Sequence, residues 1–259
     1  MSPSRTLRRL SLAAALLAAP PALAYIPPAS TILKAMGERR AAAGVEVLEV
    51  NGTLEAQGAA AEKLPSTLTR TPAGTVSVPA RFLMKVPGRC RLELAPPGVA
   101  EADRPFVSLR DGKLSAKGGL DGIPAATALL RAACTFLATS TAGDASGTYA
   151  AALGRRGVRV ADVTLGRFDG KLAWVLGGRE KEPHPLAFIE KTEKLAGQPM
   201  RLVATEGGAL LDTRFLGWGA PTGGDWFPRA AEVWQADALL LRLTTEKATG
   251  SAKLADTLF

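Results

Sequence analysis

Two short segments that alternate apolar and polar residues most constrain how this chain of 259 residues can fold. Residues 84–94 contain one strand, a Pro-Gly break and a second strand in which every other residue is apolar. Residues 107–114 contain two more short strands that meet at Asp111-Gly112, a dipeptide typical of two-residue hairpins. A period of two is typical of antiparallel strands with one buried face. Both segments therefore predict an antiparallel sheet.

Further strands are expected downstream, where Asp169-Gly170 marks another hairpin turn and residues 239, 241 and 243 place three leucines on one face. The whole pattern predicts about 10–11 strands at regular spacing. The few helical segments are wrongly placed for parallel βαβ units. The fold class is therefore mainly β, one large antiparallel sheet that curls into a barrel or a half-barrel.

Three helical segments are predicted, one before the first strand and two between later strands. The first is predicted over residues 30–43, with Ser30 or Thr31 as its N-cap and Gly44 at its end. The second covers residues 124–139 and begins at a proline, which is favoured in a first helical turn. An apolar stripe at helical spacing supports each assignment.

A third, shorter helix is expected near Tyr149, with Ser146 as its cap. Residues 57–72 are rich in Ala, Thr and Pro, which predicts a loop. Residues 158–160 alternate Val, Arg and Val, which predicts the start of the next strand.

The N-terminus resembles a secretory leader. Arg5, Arg8 and Arg9 precede an apolar run over residues 10–19, and Ala22-Leu23-Ala24 matches a cleavage site. The run is too short to span a membrane, and the arginines before it disfavour the alternative of a buried helix. We therefore expect residues 1–24 to be a signal peptide and residues 25–259 to form one soluble domain, in the periplasm.

The charge balance is moderately basic. Loss of the three leader arginines lowers the formal net charge from +8 to +5. We expect no nucleic-acid binding, because the protein is predicted to be exported and lacks aromatic residues interleaved with basic ones. This charge fits a surface that keeps the protein in solution. It also fits weak attraction to anionic lipid or to an acidic partner.

Cys90 and Cys134 are the two cysteines of the chain. An even number in an oxidising compartment predicts one disulfide. Cys90 lies on the apolar side of its strand, and Cys134 lies in the second predicted helix near Leu130 and Leu137. Two separately buried thiols are the alternative.

The residues give little support to catalysis. His184 is the one histidine and lies between two prolines, a context typical of a loop. No G-x-S-x-G elbow is present, and one histidine with two cysteines does not make a zinc site. The glycine-rich residues 217–223 precede a Phe-Pro strand rather than a helix, which excludes a nucleotide loop. We predict no enzyme, catalytic residue, metal or cofactor; a hydrolase built on His184 is the least favoured alternative.

Several short motifs occur in a recognisable order. Lys85-Val86-Pro87 ends one strand, Asp111-Gly112-Lys113 forms a hairpin, and residues 168–172 repeat the Asp-Gly-Lys pattern. Paired strands at residues 185–202 follow. With the leader, this order resembles the periplasmic lipoprotein-carrier family (LolA/LolB-like), over nearly the whole mature chain.

The resemblance implies an incomplete, half-open antiparallel β-barrel wrapped over helices that act as a lid. It also implies a non-catalytic monomer that carries acyl chains of lipoproteins or lipids to the outer membrane, with an inner- or outer-membrane protein as a further partner. A regulatory or protein-binding module of the envelope on the same fold is the alternative. The predicted cavity-lining residues are Phe82, Met84, Leu92, Leu94, Leu129, Leu130, Leu137, Trp174 and Leu176.

One position departs from the family pattern. Carriers of this family commonly have a basic residue immediately before the proline of the Lys-x-Pro strand, where it fastens the lid. Val86 occupies that position in this chain. The resemblance therefore leaves the residue that fastens the lid unassigned.

Overall fold

The computed structural model describes residues 26–66, 68–179, 183–192 and 196–259. The predicted signal peptide, residues 1–24, lies outside these ranges, so its cleavage stays a prediction. Within the described ranges, no helix combines the length and the apolar character that crossing a membrane requires.

The described residues form one antiparallel sheet of twelve strands that does not close into a barrel. This confirms the predicted mainly-β, open architecture, with a strand number slightly above the expected one. The strands are β1 (Val47–Ala56), β2 (Val76–Lys85), β3 (Arg89–Leu94), β4 (Phe106–Arg110), β5 (Lys113–Lys117), β6 (Val163–Phe168), β7 (Lys171–Leu176), β8 (Leu186–Glu190), β9 (Pro199–Glu206), β10 (Ala209–Leu216), β11 (Ala230–Gln235) and β12 (Ala238–Gly250).

The strand order is β5-β4-β3-β2-β1-β12-β11-β10-β9-β8-β7-β6. The first and last strands therefore pair in the middle of the sheet, and β5 and β6 are its two edges. These edge strands are consecutive in the chain. The segment that joins them, residues 118–162, must consequently pass from one edge of the sheet to the other, and it carries two of the helices.

The predicted hairpin turns are confirmed. Asp111 and Gly112 join β4 to β5, and Asp169 and Gly170 join β6 to β7, all four with positive φ. Type I′ turns need this backbone conformation at both central residues, and Asp-Gly adopts it readily. Strand β6 begins at Val163, so the strand predicted at residues 158–160 is wrong. The turn at Asp169-Gly170 sets the pairing of β6 with β7 from Phe168 back to Val163.

Four helices are present in the described ranges: α1 (Ala29–Ala43), α2 (Gly58–Lys63), α3 (Pro124–Leu137) and α4 (Ala145–Gly154). Gly44 ends α1 with φ of 65°, as predicted, and Pro124 lies in the first turn of α3. Helix α2 lies within residues 57–72, where a loop was predicted, because its alanines favour helix over the flanking prolines and threonines.

The predicted N-caps are wrong. Helix α1 follows Pro28, whose extended backbone places its carbonyl oxygen as acceptor for the Thr31 N–H, and no side chain caps it. At α4 the cap is Asp144 rather than Ser146, since its Oδ1 accepts the Gly147 N–H at 2.9 Å. A carboxylate also interacts favourably with the positive end of the helix, which a serine hydroxyl does less well.

Helix α3 lies between the sheet and α4. It contacts strands β3, β4 and β9 to β12 on one side, and α4 on another. Eleven of its fourteen residues are buried. Its five alanines keep it thin enough to approach these elements closely, so the main hydrophobic core forms around it.

The outer helices α1 and α4 pack together at a small-residue contact, which we expect to be sensitive to one added methyl group. A Cβ on Gly37 would lie 2.6 Å from the Cβ of Ala145. Gly37→Ala should lower the free energy of unfolding by about 1–3 kcal/mol through overpacking, measured by urea denaturation. Gly154→Ala is the control, because its Cβ would meet no atom within 4 Å. It should stabilise α4 by up to about 1 kcal/mol; equal losses in both variants would contradict the close contact.

Candidate functional site

The predicted cavity-lining residues come together in one hydrophobic core. All nine belong to the main hydrophobic core or pack against it, although they come from two separate parts of the sheet and from the helix. Eight of them are at most 1% exposed, and Trp174 is half-buried. Their packing shows a core that α3 fills, and their role in lining a ligand cavity stays a prediction.

Two pairs of aromatic side chains pack within this core. Phe136 of α3 meets Phe215 of β10 edge to face, with ring centroids 5.7 Å apart. Phe82 of β2 packs against Phe227 at 5.1 Å. The region between the sheet and α3 is called the apolar interface below. It consists of the buried residues of α3 and the buried sheet residues that face it.

The predicted disulfide is confirmed. Cys90 at the start of β3 is joined to Cys134 in the last turn of α3, with their Cα atoms 5.8 Å apart. A covalent bond therefore attaches the C-terminal end of α3 to the sheet.

Arg40 of α1 reaches the same end of α3. It is 5% exposed, and its guanidinium donates to the carbonyl oxygens of Leu137 and Trp226, both at 3.4 Å. Burial lowers the pKa of Arg40 from its ordinary value, while the nearby Tyr149 and Asp225 act in the opposite direction. The Leu137 carbonyl belongs to the negative end of the α3 dipole, so a cation there is favourable.

Sequence reasoning missed Arg40. The residue continues the apolar stripe of α1 formed by Leu33 and Met36, and a charged residue at such a buried helical position is the signal that could have revealed it. Arg40 and Val86 line one cleft of about 600 Å³. Arg40 therefore contacts the end of α3 in the cleft that Val86 also lines.

Tyr149 of α4 forms a second polar contact with this end of α3. Its hydroxyl donates to the carbonyl oxygen of Phe136 at 3.1 Å, and the side chain is fully buried. Burial raises the pKa of Tyr149 to about 12, so the hydroxyl keeps its proton at physiological pH. The C-terminal end of α3 is thus held by a disulfide, an arginine and a tyrosine.

The N-terminal end of α3 is held differently. Among the described residues, the polar and covalent contacts that α3 makes with other elements all lie at residues 131–137. Residues 124–130 contact the sheet through apolar side chains. Two glycines with positive φ, Gly118 and Gly119, and a short 3₁₀ turn at Leu120–Gly122 precede this end.

His184 is the residue on which the hydrolase alternative depends. His184 is half-buried, and its Nε2 lies 2.7 Å from the carbonyl oxygen of Gly177. In the described part of the chain, no group of three or more His, Cys, Asp or Glu side chains could hold a metal ion.

No family model matches this chain, and no curated protein matches it either. Solved structures do resemble it. A LolA superfamily protein from Nitrosomonas europaea is 11% identical with a TM-score of 0.49, and a DUF1329 family protein from Desulfovibrio piger is 10% identical with a TM-score of 0.45. Each comparison covers 90% of this chain and 98% of the other. MucB is 15% identical with a TM-score of 0.34, and the match covers 89% of this chain and 61% of the MucB chain.

We expect Arg40 to hold α3 in place. Arg40→Ala should lower the free energy of unfolding by about 2–4 kcal/mol, because the buried Leu137 carbonyl and the partly buried Trp226 carbonyl lose a donor and the missing stem leaves a cavity. Chemical denaturation measures this loss. Lys34→Ala is the control on the same helix: Lys34 is exposed and pairs with the exposed Glu38 at 3.8 Å, so its loss should cost less than about 1 kcal/mol. A neutral Arg40→Ala would contradict the assignment.

Proposed function

We propose that this chain is a non-catalytic binding module of the periplasm that holds acyl chains of lipoproteins or lipids at the apolar interface, for transfer to the outer membrane. One observation carries the proposal: α3 is buried on nearly all sides, yet its polar and covalent anchors are confined to one end. The sequence resemblance to lipoprotein carriers supports the choice of ligand.

The asymmetric anchoring suggests how a ligand enters. Apolar packing has little directional preference, so an acyl chain can replace the side chains of α3 on the sheet without leaving polar groups unpaired. The disulfide at Cys134 and the Arg40 contact keep the C-terminal end in place. The N-terminal end can then swing away from the sheet about the glycines that precede it.

The energy available from an acyl chain is sufficient for such an exchange. Each methylene moved from water into an apolar site contributes about 0.8 kcal/mol, so a chain of about 15 methylenes contributes roughly 12 kcal/mol. The six predicted lining residues of the sheet, Phe82 and Trp174 among them, and the three of α3 would then contact the ligand. Their present packing in the main core is what a closed, ligand-free state requires.

A protein-binding regulatory module is the second candidate. The observation in its favour is Leu165, which is 43% exposed on the edge strand β6. An edge strand can accept a strand of a partner, and an exposed leucine adds apolar contact area.

The first test is the content of the purified protein. The mature chain is isolated from a bacterial periplasm and extracted with organic solvent, and the extract is analysed by mass spectrometry. We expect stoichiometric acyl lipid or lipoprotein. A lipid-free preparation that also fails to bind a fluorescent fatty acid would exclude the carrier function and favour the protein-binding module.

A second prediction concerns which end of α3 moves. Binding of a long-chain fatty acid should speed hydrogen exchange of residues 125–130 and leave residues 134–137 protected, because the anchors lie at that second segment. Hydrogen exchange with mass spectrometry measures both segments, and hexanoate, which is too short to displace the helix, is the ligand control. Equal changes at both ends would count against the proposed opening.

The variant control for this experiment removes the disulfide. Cys90→Ser combined with Cys134→Ser removes a covalent bond between two residues that are 44 positions apart in the sequence. The chain-entropy model predicts a loss of up to about 4 kcal/mol in the free energy of unfolding. In this variant the difference in exchange between the two segments should shrink.

A further inference from the structure

A second cleft lies beside α3, about 570 Å³ in volume, between this helix, the end of α4 and the turn from β4 to β5. We call it the arginine cleft. It is defined by Arg131 and Cys134 of α3, Arg155 and Arg156 at the end of α4, and Asp111-Gly112 of the turn. Leu109 and Ala152 add apolar surface to its lining. The cleft therefore combines a cationic wall with apolar surface that adjoins the main core.

Its arginines carry more positive charge than the neighbouring carboxylates offset. Arg131 lies 3.6 Å from Oε1 of Glu206, and Arg156 contacts the same oxygen. Glu206 is 7% exposed, so two guanidinium groups share one buried carboxylate. The Nε–H groups of Arg131 and Arg156 have no acceptor among the described residues.

Arg155 increases this imbalance. It is exposed, lines the cleft and has no ion-pair partner in the part of the chain that the structure describes. Asp111 is the acidic residue of the cleft lining, and it lies 3.9 Å from Arg110, which offsets its charge. An anion in the cleft would therefore meet a positive potential and reduce the repulsion between Arg131 and Arg156.

We infer that the arginine cleft is an oxyanion site that binds a phosphate group. Guanidinium groups fit phosphate oxygens with paired, charge-assisted hydrogen bonds. The next step rests on the proposed function. Under that function, the phosphate is the headgroup of an anionic amphiphile. Its acyl chain then passes along the apolar lining of the cleft toward the apolar interface.

The experiment compares two lipids and inorganic phosphate by isothermal titration calorimetry. Dioctanoyl phosphatidic acid carries the headgroup, whereas dioctanoylglycerol has the same chains without charge. Arg131→Gln and Arg155→Gln are the test variants, since both side chains are partly or largely exposed. Arg167→Gln is the matched control, because this exposed arginine lies on β6 and outside the cleft.

We expect each test variant to weaken phosphatidic acid binding roughly tenfold, the loss of about one charge-assisted hydrogen bond. Dioctanoylglycerol binding and the Arg167→Gln variant should be unchanged. Loss of affinity for both lipids alike, or no loss in either test variant, would overturn the oxyanion site.

The two proposals fail in different ways. If neither lipid binds the wild-type protein but inorganic phosphate does, with a loss in both test variants, the oxyanion site stands for a free anion and the carrier function is wrong. If both lipids bind equally and neither arginine matters, the carrier function stands and the oxyanion site is wrong.

Discussion

The burial of helix α3 against one face of the sheet is the contact on which the rest of the structure depends. The strand order places β5 and β6 at opposite edges although they are neighbours in the chain. Their connection must therefore cross the sheet, and a helix satisfies its own backbone hydrogen bonds while it does so. Because α3 then has the sheet on one side and α4 on another, nearly all its surface must be apolar, and its alanines make the close approach possible.

The polar chemistry of the molecule is concentrated where α3 ends. The Cys90–Cys134 disulfide and the donors Arg40 and Tyr149 all act on its last turns, and the arginine cleft opens beside the same segment. A helix end leaves carbonyl oxygens without intrahelical partners, so donors gather there. The remainder of α3 depends on apolar contacts, which an apolar ligand can replace. The C-terminal end of α3 is fixed, whereas the apolar contacts of its remaining residues can be replaced by a ligand. This difference links the fold to the proposed binding function.

Both hairpin turns follow from the two residues at the turn itself. Asp-Gly turns need positive φ, which this dipeptide tolerates, so both hairpins were predictable. The N-cap positions were predicted wrongly. Helix α1 begins after Pro28 rather than at Ser30, and Asp144 rather than Ser146 caps α4, a difference of two residues in each case. Arg40 was missed because helical periodicity classifies arginine as an exposed residue. Its partners, the Leu137 and Trp226 carbonyls, are 97 and 186 residues away in sequence.

The sequence by itself determined the mainly antiparallel sheet and the positions of its Asp-Gly hairpins, and it favoured a disulfide between the two cysteines. These features follow from alternation, turn chemistry and composition, which are local. Only the tertiary structure decided that α3 fills the face of the sheet, and that β3, which carries Cys90, packs against this helix. Alternation of apolar residues shows which face of a strand is buried, but it carries no information about what covers that face. The convergence of Arg131 and Arg156 on Glu206 likewise depends on elements that meet only in the folded chain.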